Sequence, residues 1–440
     1  MRITHLDHNI WKKKQMIRQL SRYTYILLCL FYPSLGLYAS SLHVNIRADA
    51  AIVMNAETGV ILYEKDAYEQ FYPASTTKIA TALLAIKLSE GRLKEKVVAK
   101  QEAIGSLSEA ERKRREKSIP AYTLEHGNSH IGIKRGEKLD IETLLYGLMI
   151  ASGNDAANVL AQHLSGNINE FIKELNRYLK TIGCLQTNYI NPHGLHGNDH
   201  KSTAYDLAMM AREGMKSPLF RKIVSTQRYP RPKTNKQEPS ILVQTNRLIK
   251  KSSKYYYPKC TGIKTGYTRK AGYCLVASAI QGDRNLIAVV LKCDSQAIRF
   301  QDAKKLFEAA FSEPKLTREI LKKGKQRWVF NLEGASSKLR TYLDDAFSIQ
   351  YYPSEEPNVK AHIERFPIEL PIEKGTIIGQ VKVLSEDGVI EKTLPLRALN
   401  AVDLKFWQKL IKGWNNFGEQ GAIGLAVLFA GLAVVTWRKK

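Results

Sequence analysis

The stretch YPASTTKIATALLAI, residues 72–86, sets one serine and one lysine into an otherwise apolar, small-residue segment. Pro73 and the short side chains after it suit a helix start, and the run that follows reads as a buried helix. Ser75 and Lys78 stand three positions apart, so on a helix their side chains share one face. Ile79, Ala80, Ala82, Leu83 and Leu84 leave that lysine little room for hydration. A desolvated ammonium is costly, its pKa falls, and the neutral amine can take a proton from the hydroxyl beside it. The free N–H groups and dipole of a helix start favour negative charge near that hydroxyl. Ser-x-x-Lys alone also describes a surface lysine snorkelling off a core helix. The rest of the chain decides between the two.

Two further segments bear on it. LMIASGNDAANVLA (148–161) sets Ser152-Gly153-Asn154 at a break before a helix. TGIKTGYTRKAGY (261–273) sets Lys264-Thr265-Gly266 on a strand, where a glycine lets a substrate backbone lie close. Each has a bland reading, an N-cap in the first case and an edge-strand lysine in the second. Their order and spacing do not: 77 residues (75 to 152) and then 112 (152 to 264) separate the three.

The elements around them predict an α+β fold, with helices packed on an antiparallel sheet. AAIVMNAETGVILYEKDA reads as two strands around a turn at Glu57-Thr58-Gly59. Residues 139–230 are mostly helical in period, strands return at GIKTGYTRKAGYCLVASAI and NLIAVVLKC, and QDAKKLFEAAFS closes with a helix. Between 106 and 118, SLSEAERKRREKS reads as a solvated helix or insertion. From 313 to 400 the texture changes to short alternating runs, with a turn signal at Asp387-Gly388, and predicts a small β-sandwich domain.

The two ends speak to location. WKKKQMIRQLSRY (11–23) followed by TYILLCLFYPSLGLYASS (24–41) has the order of a secretory signal, predicting export with residues 1–41 as the signal peptide. GAIGLAVLFAGLAVVTW (421–437) is an uncharged apolar run that predicts a short transmembrane segment, with Arg438, Lys439 and Lys440 on the cytoplasmic side. Just upstream, in 401–420, Trp407, Leu410, Trp414 and Phe417 recur at helical spacing while Lys405, Lys409 and Lys412 take the other face, predicting a helix in the membrane interface. The balance of 67 basic against 42 acidic residues, a net +25, suits an anionic envelope, and export excludes nucleic acid as partner. Cys29 falls in the signal, while Cys184, Cys260, Cys274 and Cys293 are open to bridges or to free buried thiols.

On these motifs the chain resembles the low-molecular-mass penicillin-binding proteins that act as serine D-alanyl-D-alanine carboxypeptidases. PASTTK, SGNDAAN, NPHGL, STAYDLA, GIKTGYT and GYCLVASA carry the likeness over roughly 45 to 310, and PLRALNAVD carries it more weakly beyond. Ser-x-x-Lys, Ser-x-Asn and Lys-Thr-Gly together are the set shared with class A β-lactamases. The resemblance implies a β-lactamase/transpeptidase-like catalytic domain at 42–312, in the inner membrane with that domain outside the cytoplasm. It implies acylation of Ser75 by the penultimate D-Ala of a peptidoglycan stem peptide, with β-lactams as covalent inhibitors. Lys78 resembles the general base, and Ser152 a relay to the departing amine. Asn154 would hold the substrate amide and Lys78, and Lys264 and Thr265 the terminal carboxylate beside Gly266. Backbone N–H groups of Ser75 and Tyr267 would form the oxyanion hole. Family members often carry histidine where this chain has Tyr267. His193 and Arg247 match positions lining the family's site, and Arg299 is a candidate second carboxylate partner.

Rival functions read less well. A class A β-lactamase needs a glutamate midway between the second and third motifs, and the segment from Thr187 through PHGL offers none. An endopeptidase or transpeptidase would use the same residues with another acceptor. A silent wall-binding protein need not keep all six reactive side chains. His193, His196 and His200 have loose metal-ligand spacing without matching cysteine or carboxylate partners, so neither metal nor cofactor is predicted.

Overall fold

A computed structural model describes residues 42–115, 119–386 and 390–409. The signal peptide, Cys29, the Asp387-Gly388 turn, the apolar run 421–437 and most of the interfacial helix lie outside the described residues. Among those described, no helix is long and apolar enough to cross a membrane. They divide into two compact units, residues 42–314 with Tyr352–Glu355, and residues 315–351 with 356–409.

The first unit is built on β1 (Ala50–Asn55), β2 (Ile61–Lys65), β3 (Cys260–Thr268), β4 (Gly272–Gln281) and β5 (Arg284–Cys293). They form one antiparallel sheet in the order β2–β1–β5–β4–β3. Both faces are covered, which is why β5 reads as a continuous apolar run rather than an alternating one. Ile287, Val289 and Leu291 enter one core, while Leu286, Ala288 and Val290 enter the other. Each such isoleucine, valine or leucine contributes about 1.5–3 kcal/mol on burial.

One face carries α7 (Gln296–Phe311), through Phe300, Leu306 and Phe307. The other carries α1 (Lys78–Leu88), α2 (Ile141–Met149), α3 (Asn154–Leu164), α4 (Ile168–Thr181), α5 (Ala204–Lys216) and α6 (Pro218–Ser225). Side-chain caps mark most of their starts, as expected for orphan amides: Asp140 accepts from Thr143 N, Asn167 from Glu170 N, Thr203 from Asp206 N and Ser217 from Phe220 N. The charged stretch holds a short helix, Glu109–Arg114, opened by a reciprocal cap in which Ser108 N donates to Glu111 and Glu111 N to Ser108. At the far end of the sheet, buried Arg284 reaches the Ala310 carbonyl, Glu313 at 3.1 Å and Ser354 at 3.3 Å.

The second unit is described by β6 (Leu316–Leu321), β7 (Gly324–Phe330), β8 (Leu339–Leu343), β9 (Phe347–Tyr351), β10 (Val359–Arg365), β11 (Ile377–Ser385) and β12 (Glu391–Ala398). Five of these form a sheet in the order β7–β8–β12–β11–β10, and β6 pairs with β9. Leu339, Leu343, Val381, Val383, Leu394 and Leu396 fill its core.

Candidate active site

The quoted stretch begins its helix later than its spacing predicts. Residues Ala74–Thr77 form a 3₁₀ turn, and the α-helix starts at Lys78. A 3₁₀ turn eclipses positions i and i+3, so Ser75 and Lys78 face one another more squarely than on an α-helix. Ala74 takes φ +47, a left-handed backbone that costs a non-glycine residue about 1–3 kcal/mol. Ser152 is likewise left-handed, at φ +64, where α2 gives way to α3. Ala74 immediately precedes Ser75, and Ser152 is itself a candidate site residue.

Lys78 is fully buried. Its Nζ lies 3.0 Å from Ser75 Oγ, 2.6 Å from Asn154 Oδ1 and 2.7 Å from the His193 carbonyl oxygen. Burial, and then the charge of Lys264, hold its pKa well below the usual lysine range. A neutral amine has two N–H groups and one lone pair. The Asn154 and His193 oxygens can only accept, so each takes an N–H of Lys78, and once the amine is neutral the remaining direction, toward Ser75 Oγ, is that of its lone pair. That geometry makes the amine a base for Ser75.

The opposite wall is β3. Lys264, also fully buried, donates to Ser152 Oγ at 3.0 Å and to the Thr265 carbonyl at 2.9 Å. Burial, with the Arg299 charge adding to it, lowers its pKa to about 7. Gly266 permits a close approach of the chain's own backbone: a Cβ there would stand 2.9 Å from the Pro73 carbonyl oxygen and 3.1 Å from Ser75 N. Tyr267 is 53% exposed, its ring 4.3 Å from that of Tyr273.

The other candidates separate by what they touch. His193 is buried, its Nδ1 accepting from Leu195 N and its Nε2 3.1 Å from the Tyr122 carbonyl, so it serves Lys78 through its own carbonyl and not its ring. Arg299 is buried on α7 and donates to the carbonyls of Gly266 (3.0 Å) and Cys274 (3.4 Å), bracing β3 from behind. Arg247 is exposed, and it is Thr245, two residues earlier, that accepts the Thr265 hydroxyl at 2.9 Å. The sequence flagged the segment and missed the residue, because the motif's register shows only once the strand is placed. Asp155 was also missed. Its carboxylate accepts the amides of Ile131, Gly132 and Ile133, and Ser129 O accepts Asn154 N, so loop 129–133 seats Asn154. His196 packs edge-to-face with Tyr72, and His200 bonds Thr77, so the three histidines have separate partners. Cys184, Cys260, Cys274 and Cys293 are free thiols.

Residues 38–295 match the D-alanyl-D-alanine carboxypeptidase family, peptidase S11. The chain is 33% identical over 393 residues to D-alanyl-D-alanine carboxypeptidase DacF of Bacillus subtilis, covering 84% of this chain and 91% of that protein. Penicillin binding protein 6B from Escherichia coli superimposes with a TM-score of 0.56 at 25% identity, covering 81% of this chain and 96% of that one. The Streptomyces K15 DD-transpeptidase does so at 0.53 and 29%, covering 61% and 98%. With the paired lysines, the two serines and the asparagine gathered in one cleft, the chain belongs to the D-alanyl-D-alanine carboxypeptidase family of peptidases.

Proposed function

We propose that this protein is a penicillin-sensitive serine D-alanyl-D-alanine carboxypeptidase that trims peptidoglycan stem peptides through an acyl-enzyme on Ser75. The observation that carries this reading is the Lys78 amine, with both N–H groups engaged by Asn154 and His193 and 3.0 Å from Ser75 Oγ. Lys78 takes the hydroxyl proton as Oγ attacks the carbonyl carbon of the penultimate D-Ala. The carbonyl electron pair moves to oxygen, where the N–H groups of Ser75 and Tyr267 stabilise it. The C–N bond then breaks, and the leaving nitrogen receives the proton through Ser152. Water adds to the ester by the same route in reverse, freeing Ser75 and the shortened peptide. Lys264 and Thr265 hold the terminal carboxylate, with Arg299 fixing their strand.

The proposed setting is extracytoplasmic: a signal at 1–41, a small β-sandwich domain at 313–400, an interfacial helix at 401–420 and a membrane span at 421–437. Supporting it, Phe406 and Trp407 lie exposed on a helical turn at residues 406–409. The test is to incubate the full chain with a stem pentapeptide and with fluorescent penicillin. Free D-Ala and covalent label, both lost in Ser75→Ala, are expected. Label surviving in Ser75→Ala would sink the assignment. A cross-linked dimer in place of free D-Ala would favour a transpeptidase, a reading supported by the likeness to the K15 enzyme.

A further inference from the structure

Loop 190–200, INPHGLHGNDH, clasps the serine turn at several points. Lys78 Nζ reaches the His193 carbonyl, and Thr81 Oγ1 donates to that of Pro192 at 2.6 Å. Gly194, at φ +94, packs so closely that a Cβ would overlap the Ala74 carbonyl. The last point is His200, whose Nε2 lies 2.8 Å from Thr77 Oγ1. This ring is buried and stacked on Tyr189, with centroids 4.7 Å apart.

The directions of these bonds can be assigned. Ile190 N–H donates to His200 Nδ1 at 3.1 Å, so the ring proton sits on Nε2 and points at Thr77. The Thr77 hydroxyl donates its own proton to the Ala74 carbonyl at 2.8 Å, which leaves it free to accept from His200. Burial, reinforced by His196 and Lys78, keeps the ring neutral, its pKa pushed down to about 3. The chain of donors therefore runs one way, from Ile190 through His200 and Thr77 to Ala74. Ala74 is the left-handed residue immediately before Ser75.

We infer that His200 is a positioning residue for the nucleophile, holding the Ala74 carbonyl through Thr77 and so the turn that sets Ser75 Oγ 3.0 Å from Lys78. It rests on the reading of Ser75 as the acylated residue. Neither ring nitrogen faces the cleft, so the effect falls on the rate of acylation and not on binding. Glutamine can reproduce both bonds, its oxygen accepting from Ile190 N–H and its amide N–H donating to Thr77.

The experiment uses the full chain and fluorescent penicillin, reading the maximal acylation rate and the half-saturating concentration separately, with thermal melting alongside. Label on the wild type and none on Ser75→Ala secures the underlying reading; failure of that pair would overturn the function and this role of His200 together, whereas the variants below bear on the role alone. His200→Ala is expected to lower the maximal rate about 30-fold while half-saturation moves less than about 3-fold. His200→Gln should return to within about 5-fold of wild type, and Thr77→Val should match His200→Ala. The His200→Ala/Thr77→Val double variant should lose no more than either single one, since both break the same chain. Wild-type rates in His200→Ala, equal losses in His200→Gln, or multiplied losses in the double variant would overturn the inference. Should His200→Ala be unfolded at the assay temperature, Thr77→Ser against Thr77→Val decides. Serine keeps the hydroxyl and the rate, and equal rates in those two would overturn it.

Discussion

The amide oxygen of Asn154 lies 2.6 Å from Lys78 Nζ, closer than the 3.0 Å from that nitrogen to Ser75 Oγ. Asn154 therefore orients the base, and Asn154→Leu removes the acceptor while keeping the volume. An unpaired buried donor costs about 1–3 kcal/mol, so the acylation rate should fall about 10- to 100-fold. Stopped-flow labelling with penicillin measures this, and a loss below threefold would remove Asn154 from the base's support.

Lys78 and Lys264 link stability to pH. Both are buried with pKa values lowered in the fold, Lys264 to about 7, so between pH 7 and the usual lysine range the unfolded chain binds more protons. Unfolding free energy should thus rise with pH from 7 to about 9, by at most about 1.4 kcal/mol per unit for one lysine. Lys264→Met should flatten the slope in urea titrations at several pH values. The KM for a stem peptide should rise over the same range as the cation that holds its carboxylate is lost. A wild-type stability profile that falls with pH would contradict the lowered pKa values of the two buried amines.

Gly266→Ala would drive a methyl group to 2.9 Å from the Pro73 carbonyl oxygen. Backbone cannot swing aside as a side chain can. Strand and serine turn should separate, with about 1–3 kcal/mol lost in stability and slower acylation in what remains folded. A variant that melts and acylates like wild type would show that the strand has slack.

Arg284→Leu takes the guanidinium from the partly buried carboxylates of Glu313 and Glu355 at the far end of the sheet, leaving Glu313 to Ser354. Breaking such a network costs about 1–3 kcal/mol, whereas the cleft keeps its own contacts. Denaturant midpoints should drop sharply while acylation per folded molecule holds. A matching loss of acylation would tie this end of the sheet to the cleft.

A chain ended at residue 402 should leave the membrane fraction and keep its turnover, because every reacting group lies upstream of Asn285. Continued sedimentation with membranes would count against the proposed tail anchor.

The candidate side chains were legible in the sequence because Ser-x-x-Lys, Ser-x-Asn and Lys-Thr-Gly stand in the order of the family the chain resembles. Ser75, Lys78, Ser152, Asn154 and Lys264 all meet in one cleft. The helices of the first unit were legible from their apolar period. What local pattern could not show was long-range. Thr245 acquires its role only by meeting Thr265 across 20 residues, and His200 by meeting Thr77 across 123. Left-handed Ala74 and Ser152 carry no glycine to announce them. Arg299 turns to backbone carbonyls, an outcome composition does not encode. β6 and β8, LTREIL and LRTYL, interleave charges with their apolar residues and escaped notice as strands.

The complete burial of Lys78 has a kinetic consequence. A base with no surface of its own reaches solvent only through its partners, so the hydrogen lifted from serine leaves by way of the Ser75 hydroxyl or the substrate seated on it. Proton traffic is then relayed by side chains, and turnover should respond little to buffer concentration.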